Sequence, residues 1–204
     1  MRIIIVGNSP LKSFYECYTP LPDDYYIGLD GGAEEIIKAG FVLHEAWGDF
    51  DSTTNFEIIK TKALKLVVHP LKKNETDLEL VLMNICQNTP IYLYDVLGGR
   101  LDHELVNLLL LSKYDYLPIT MVDKDNEISC LSVPGHYTFE QDDFQHIGFI
   151  TLTKATLTIT KAAYLLPKVT ITVNDTYTTS NLFDEHQVTI TLYDGKLIVI
   201  KTKI

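Results

Sequence analysis

The pentapeptide Gly48-Asp49-Phe50-Asp51-Ser52 sets two carboxylates one residue apart behind a glycine. Paired carboxylates suit a hard divalent cation such as Mg²⁺, which takes oxygen ligands and shares them with phosphates. In extended or turning backbone both side chains can address one ion or two. Gly, Asp and Ser are also turn formers, so a surface turn is the competing reading. Four more polar clusters punctuate the first half of the chain: Gly7-Asn8-Ser9, Asp30-Gly31-Gly32, Lys73 to Asp77, and Gly98 to His103. Asp30, Asp49, Asp51 and Asp77 make an acidic group whose mutual repulsion a cation would relieve. Gly31, Gly32, Gly98 and Gly99 allow backbone amides to approach phosphate oxygens. Arg100 can hold such oxygens in two-pronged fashion. Asp77 also suits a helix N-terminus, where the dipole favours negative charge. His103 has no His or Cys near it in sequence, which argues against a metal-ligand role. Asn107, one turn further on, reads as a loop support.

These clusters need a scaffold that collects them. Up to about residue 122, apolar runs alternate with helical patterns. Strands are expected at Ile3–Val6, Tyr25–Leu29, Leu64–Val68, Ile91–Tyr94 and Leu117–Val122. Helices are expected from Ala33 to Ala39 with Gly40 as the stop, from Thr76 to Cys86, and from Leu101 to Ser112. Thr76-x-x-Glu79 has the capping-box spacing. Alternating strands and helices predict a mostly parallel α/β sheet, whose ligands bind beyond the carboxyl ends of the strands. All five polar clusters fall at that edge.

Beyond about Asp123 the rhythm becomes strands alone. Thr156–Thr160, Val169–Val173 and Val188–Leu192 alternate threonine with aliphatic residues. That pattern fits an antiparallel sheet buried on one side. Asp194-Gly195 reads as a hairpin turn into Lys196–Lys201. The predicted organisation is an α/β nucleotide-binding domain over residues 1–124 and a β-sandwich over 125–204, with the boundary near Lys124–Asn126.

Composition narrows the partners. A formal net charge of −10 argues against nucleic acid and against an anionic membrane. An anionic nucleotide stays open, because Mg²⁺ can carry the neutralisation. No run of about 18 apolar residues is present, so no transmembrane helix is expected. The opening Met1–Val6 stretch reads as a buried strand rather than a signal peptide. Cys17, Cys86 and Cys130 form neither a disulfide framework nor a zinc motif, which predicts a reducing, cytoplasmic location.

The ordered set of motifs resembles the thiamine pyrophosphokinases. It comprises Asp30-Gly31-Gly32-Ala33, Gly48-Asp49-Phe50-Asp51-Ser52, Lys73-x-x-Thr76-Asp77-x-Glu79 and Gly98-Gly99-Arg100-x-Asp102-His103-x-x-x-Asn107. Thr179-Ser180-Asn181 adds a fifth element, so the resemblance spans nearly the whole chain. Asn74 departs from the acid that bacterial members usually carry after the lysine.

The resemblance implies a homodimer that moves the pyrophosphoryl group of ATP to the hydroxyl of thiamine. It implies Mg²⁺ and phosphates at Asp30, Asp49, Asp51 and Asp77. It places ATP at Asn8, Asp30, Gly31, Gly32, Lys73, Thr76, Gly98, Gly99, Arg100 and His103. Asp49, Asp51, Asp77, Arg100 and Asp102 are the implied catalytic group. Thr179, Ser180 and Asn181 are the implied thiamine pocket, supplied across the dimer interface. Which of Asp49, Asp51 and Asp77 orients or deprotonates the alcohol stays open. Two rival readings are a pyrophosphokinase or nucleotidyl transferase for another small alcohol, and a nucleotide or metal sensor without turnover.

Overall fold

The computed structural model describes residues 1–86 and 88–203. They form two compact units, one of residues 1–110 and 117–124, the other of residues 111–116 and 125–204. The first unit alternates strands and helices. In chain order these are β1 (Arg2–Val6), α1 (Phe14–Cys17), β2 (Asp24–Leu29), α2 (Gly32–Lys38), β3 (Glu45–Gly48) and α3 (Phe56–Lys62). There follow β4 (Lys65–Val68), α4 (Asp77–Asn84), β5 (Ile91–Tyr94), α5 (Leu101–Lys113, whose last turn falls in the second unit) and β6 (Ile119–Val122). The strands pair in the order β6-β5-β1-β2-β3-β4, and every one of these pairings is parallel. A parallel sheet covered by helices buries its central strands on both faces. Accordingly Ile3, Ile4, Ile5 and Val6 of β1 are at most 6% exposed. From β1 the chain builds the sheet outward in one direction as far as β4, then returns to the other side with β5. The carboxyl ends of β1 and β5 therefore flank a topological switch point.

The helix boundaries follow local chemistry. The Gly40 and Phe41 amides donate to the carbonyls of Ile37 and Ile36 at 3.0 and 3.2 Å, with Gly40 at φ +82°. That left-handed stop closes α2 where the sequence placed it. Thr76 Oγ1 accepts the Glu79 amide at 3.2 Å and starts α4, whose Leu78, Val81 and Leu82 are buried.

At the opposite edge of this sheet Asp24 is tied down by four donors. Arg2 gives two hydrogen bonds (2.9 and 2.6 Å), the Tyr18 hydroxyl one (2.6 Å) and the Leu21 amide one (2.8 Å). Burial alone would push the carboxyl up. The donors, led by Arg2, outweigh it and hold the group at about 2, against an ordinary 3.8. Because the folded value lies below the unfolded one, the stabilisation is present above pH 4 and is lost as pH falls toward 2. A shift of this size corresponds to about 2 kcal/mol. Urea unfolding followed down through that window should show this loss, and Asp24→Asn should flatten it. An undiminished slope in the variant would remove Asp24 as its source.

The second unit contains strands only beyond residue 125: β7 (Asn126–Leu131), β8 (Gly135–Glu140), β9 (His146–Ile150), β10 (Lys154–Thr160), β11 (Leu166–Thr172), β12 (Asn181–Leu182), β13 (Gln187–Gly195) and β14 (Leu197–Thr202). One antiparallel set runs β12-β9-β14-β7, the other β11-β10-β13-β8. Both contribute to a single core. Ile147, Phe149, Leu197 and Val199 come from the first set, and Leu157, Ile159, Ile171, Val188 and Ile190 from the second. The threonines face outward, where Thr156 meets Thr170 at 2.9 Å across two strands.

The expected hairpin at Asp194-Gly195 is not formed. The strands β13 and β14 belong to different sets, and Asp194 and Gly195 pair with Thr156 and Ala155 of β10. A register shift between Thr156 and Leu157 bulges β13 here, and Gly195 adopts φ +89°. The dipeptide thus ends a bulged strand and turns the chain from one sheet to the other. Bulges and tight turns draw on the same residues. Among the described residues no helix is long and apolar enough to cross a membrane.

Candidate functional site

Within the first unit, the carboxyl ends of β1, β2, β3 and β4 bring four of the sequence clusters together. Asp30 follows β2 at φ +46°, and its Oδ1 accepts the Phe50 amide at 3.1 Å. Phe50 is 6% exposed and packs into the core, so it pins the Gly48–Ser52 segment to the sheet. Asp49 Oδ1 accepts the Asp51 amide at 3.1 Å, and Thr53 Oγ1 donates to the Phe50 carbonyl at 2.8 Å. The pentapeptide is therefore a turn, with Asp49 half-buried and Asp51 exposed on either side of its anchor. Asn8, after β1, donates to Ser52 Oγ at 3.5 Å and accepts from Lys12 Nζ at 3.3 Å. Its side chain also fills the space that a Cβ on Gly31 would need.

Asp77 opens α4 and pairs with Lys73 at 2.6 Å, both side chains largely buried. Burial pushes the Asp30 carboxyl up to about 6. The Phe50 hydrogen bond opposes the rise, the negative charges of Asp77 and Asp49 add to it, and Lys73 offsets part of it. Asp30, Asp49, Asp77 and Lys73 thus share one electrostatic neighbourhood. Its donors are carboxylate oxygens only, the set a hard cation selects. Among the described residues, however, no three acidic, His or Cys side chains converge on a common ion position.

The Gly98–His103 loop is built differently. Gly98 takes φ +81° against the Leu11 side chain. Arg100 grips Asp102 through two hydrogen bonds (3.1 and 2.6 Å), and both side chains are exposed. Arg100 is thus spent on its neighbour rather than on the Asp30 group. His103 is exposed at the start of α5. Asn107 donates to the Val96 carbonyl at 2.8 Å, the loop-supporting role read from its spacing.

Three residues without a motif join this edge. Lys12 places a cation beside Asn8. Asp95, 2% exposed, accepts the amides of Ser13 and Phe14 at 2.6 and 3.0 Å and so fixes the loop after β1, while its Oδ2 is buried without a partner. His69, after β4, donates its amide to the Gly48 carbonyl at 2.9 Å and sets its ring 5.4 Å from that of Trp47. Its Nε2 is also buried without a partner. The only signals in the sequence were a lysine three residues after the Gly7-Asn8-Ser9 cluster and polar residues directly after two strands.

Thr179, Ser180 and Asn181 lie in the second unit. Thr179 and Ser180 border a groove of roughly 260 Å³ that His146, Gly148, Ile150, Ile200 and Thr202 complete. Asn181 is 3% exposed and committed to its own chain. It accepts the amides of Tyr164 and Leu182 at 2.9 Å each and donates to the Tyr164 carbonyl at 2.7 Å. It clamps the groove's border in place.

Comparison with known proteins gives these two regions a common frame. Residues 22–122 match the family model for the thiamin pyrophosphokinase catalytic domain, and residues 136–197 match that for the thiamin pyrophosphokinase vitamin B1 binding domain. The thiamine pyrophosphokinase of Bacillus subtilis (strain 168) is 34% identical, over 98% of this chain and 98% of its own. A crystal structure of the Bacillus subtilis thiamine pyrophosphokinase superposes with a TM-score of 0.88 at 31% identity, over 99% of both chains. That of a thiamin pyrophosphokinase family protein from Enterococcus faecalis reaches 0.89 at 27% identity, over the whole of both. Motif order, two-unit architecture and full-length similarity agree, and the chain belongs to the thiamine pyrophosphokinase family.

Proposed function

We propose that this chain transfers the pyrophosphoryl group of ATP to the hydroxyl of thiamine, releasing thiamine diphosphate and AMP. The observation that carries this reading is the gathering of Asp30, Asp49, Asp77 and Lys73 at one sheet edge, inside the segment similar to the catalytic domain. The thiamine hydroxyl forms a bond to the β-phosphorus as the bond from that phosphorus to the AMP oxygen breaks. Such transfers rest on positioning and charge stabilisation.

Asp30, Asp49, Asp51 and Asp77 would hold Mg²⁺, which when bound neutralises charge on the phosphates. Lys73, Lys12 and Arg100 counter the negative charge of ATP. Amides around Gly31, Gly32, Gly98 and Gly99, with Asn8, Thr76 and His103, line its path, and Asp102 orients Arg100. The hydroxyl proton passes to one of Asp49, Asp51 and Asp77. Residues 1–124 serve as the catalytic nucleotide-binding domain, and residues 125–204 bind thiamine and dimerise. Thr179 and Ser180 contact thiamine, and Asn181 positions them. The exposed stripe of Leu101, Leu105 and Leu109 along α5 supports a second copy, because a continuous apolar face is usually covered. Three free cysteines support a cytoplasmic setting.

Purified protein given ATP, Mg²⁺ and thiamine should form AMP and thiamine diphosphate in equal amounts, and EDTA should stop it. AMP formation with another alcohol but not with thiamine would favour a different acceptor. Tight ATP binding without turnover would favour a sensor. The same preparation should sediment as a dimer, and a monomer would sink the shared-interface part of the reading.

A further inference from the structure

The groove in the second unit has a floor with a missing side chain. Along β9 the residues alternate, with Ile147 and Phe149 fully buried in the sandwich core and His146, Gly148 and Ile150 on the opposite face. Their partners across β14 are Thr202, Ile200 and Ile198. Gly148 therefore occupies the middle of the groove, with His146 and Thr202 at one end and Ile150 at the other.

The fold gives no reason for glycine there. Gly148 is not among the residues of positive φ. A Cβ built on it would come no nearer than 3.7 Å to the Thr179 Cα, 3.9 Å to the Ser180 amide nitrogen and 4.0 Å to the Ile200 carbonyl, all ordinary contacts. Gly32 and Gly195, by contrast, have backbone atoms where a Cβ would go. A glycine in mid-strand weakens the strand, and such a residue often marks close approach by a ligand. The vacant side of Gly148 leaves a slot, flat-bottomed because strand backbone forms it, bordered by the Thr179 and Ser180 segment.

We infer that Gly148 is a specificity-determining residue whose bare backbone seats a flat heteroaromatic ring of the acceptor alcohol. The inference rests on the reading of that acceptor as thiamine. A ring lying on the strand would occupy part of this groove of roughly 260 Å³, and a side chain at position 148 would enter the same space. Ser180 is exposed at its border, and the Thr179 and Thr202 hydroxyls, which donate to the Thr176 carbonyl and to Asn126 Oδ1 at 3.1 and 3.0 Å, keep oxygen lone pairs that accept from a ring amino group.

The test is steady-state kinetics on full-length Gly148→Ala and Gly148→Val, with thiamine and ATP varied in turn. Thermal melting and calorimetric titration of thiamine accompany it. One added methyl in a fitted pocket should raise KM for thiamine about tenfold, and the valine about a hundredfold. KM for ATP and kcat should stay within about twofold. The alanine protein should melt at or above the wild-type temperature, and thiamine affinity should fall in step with KM. Unchanged KM and affinity in both variants of an active enzyme would overturn the inference and leave the acceptor reading standing. So would an alanine variant whose KM rises only with a lowered melting point. A wild-type enzyme that makes AMP without thiamine diphosphate would instead overturn the acceptor reading itself.

Discussion

Asp49→Asn is expected to lower kcat/KM for thiamine diphosphate formation by about 10²- to 10³-fold, the usual scale for losing one charge-stabilising group. The substitution isolates charge from shape. Asp49 Oδ1 accepts the Asp51 amide at 3.1 Å, and an asparagine carbonyl oxygen can accept the same bond. Phe50 keeps its buried seat and its hydrogen bond to Asp30. Folding stability should therefore change by less than about 1 kcal/mol. Asp51 is exposed beside it, and Asp51→Asn serves as the paired test. If the two carboxylates act on cation and phosphate together, both variants lose turnover and raised Mg²⁺ recovers part of it. If the pentapeptide is only a turn, both retain full turnover, and that result removes it from the proposed site.

The parts of the fold that could be read from residues are those where one physical cause acts locally. The apolar run Ile3–Val6 announced a strand buried on both faces, and Gly40 and Thr76 marked helix ends through their own backbone and hydroxyl chemistry. Helix α3 escaped because it buries Ile59 alone, and β8 because its exposed face and its half-buried face give little contrast. Asp194-Gly195 misled because a bulged strand end and a hairpin turn ask for the same residues. In the site, chain order exposed Asp30, Asp49 and Asp77, since each follows a strand or opens a helix. The roles of Asp95 and His69 depend on neighbours far away in sequence, and that of Lys12 on the fold that carries its partner Asn8 to Ser52. Thr179 and Ser180 at the groove's border were singled out, but its floor escaped, because β9 went unrecognised and Gly148 meets Ile200 only through strand pairing. Asn181, next to that border in sequence, holds the Tyr164 backbone.

Gly32→Ala should be the most damaging single methyl group in the first unit, costing about 3–5 kcal/mol and lowering the melting temperature by about 10 °C. Gly32 opens α2, and a Cβ there would overlap the carbonyl oxygens of Val6 and Gly7. Both belong to the chain at the end of β1, the central strand, so no side-chain rotation relieves the clash. The helix must lift from the sheet, which loosens Ala33 and Ile36 from a core where each is fully buried. The Ala33 amide, which donates to the Asp30 carbonyl at 3.1 Å, would move too, so the Asp30 group loses its geometry along with stability. Gly40→Ala, at the stop just beyond the same helix, is the control. Nothing lies within 4 Å of its would-be Cβ, and only its φ of +82° resists a side chain. It should cost about 1 kcal/mol and spare turnover. Equal losses in the two variants would mean that contact with β1 is not what demands glycine at position 32.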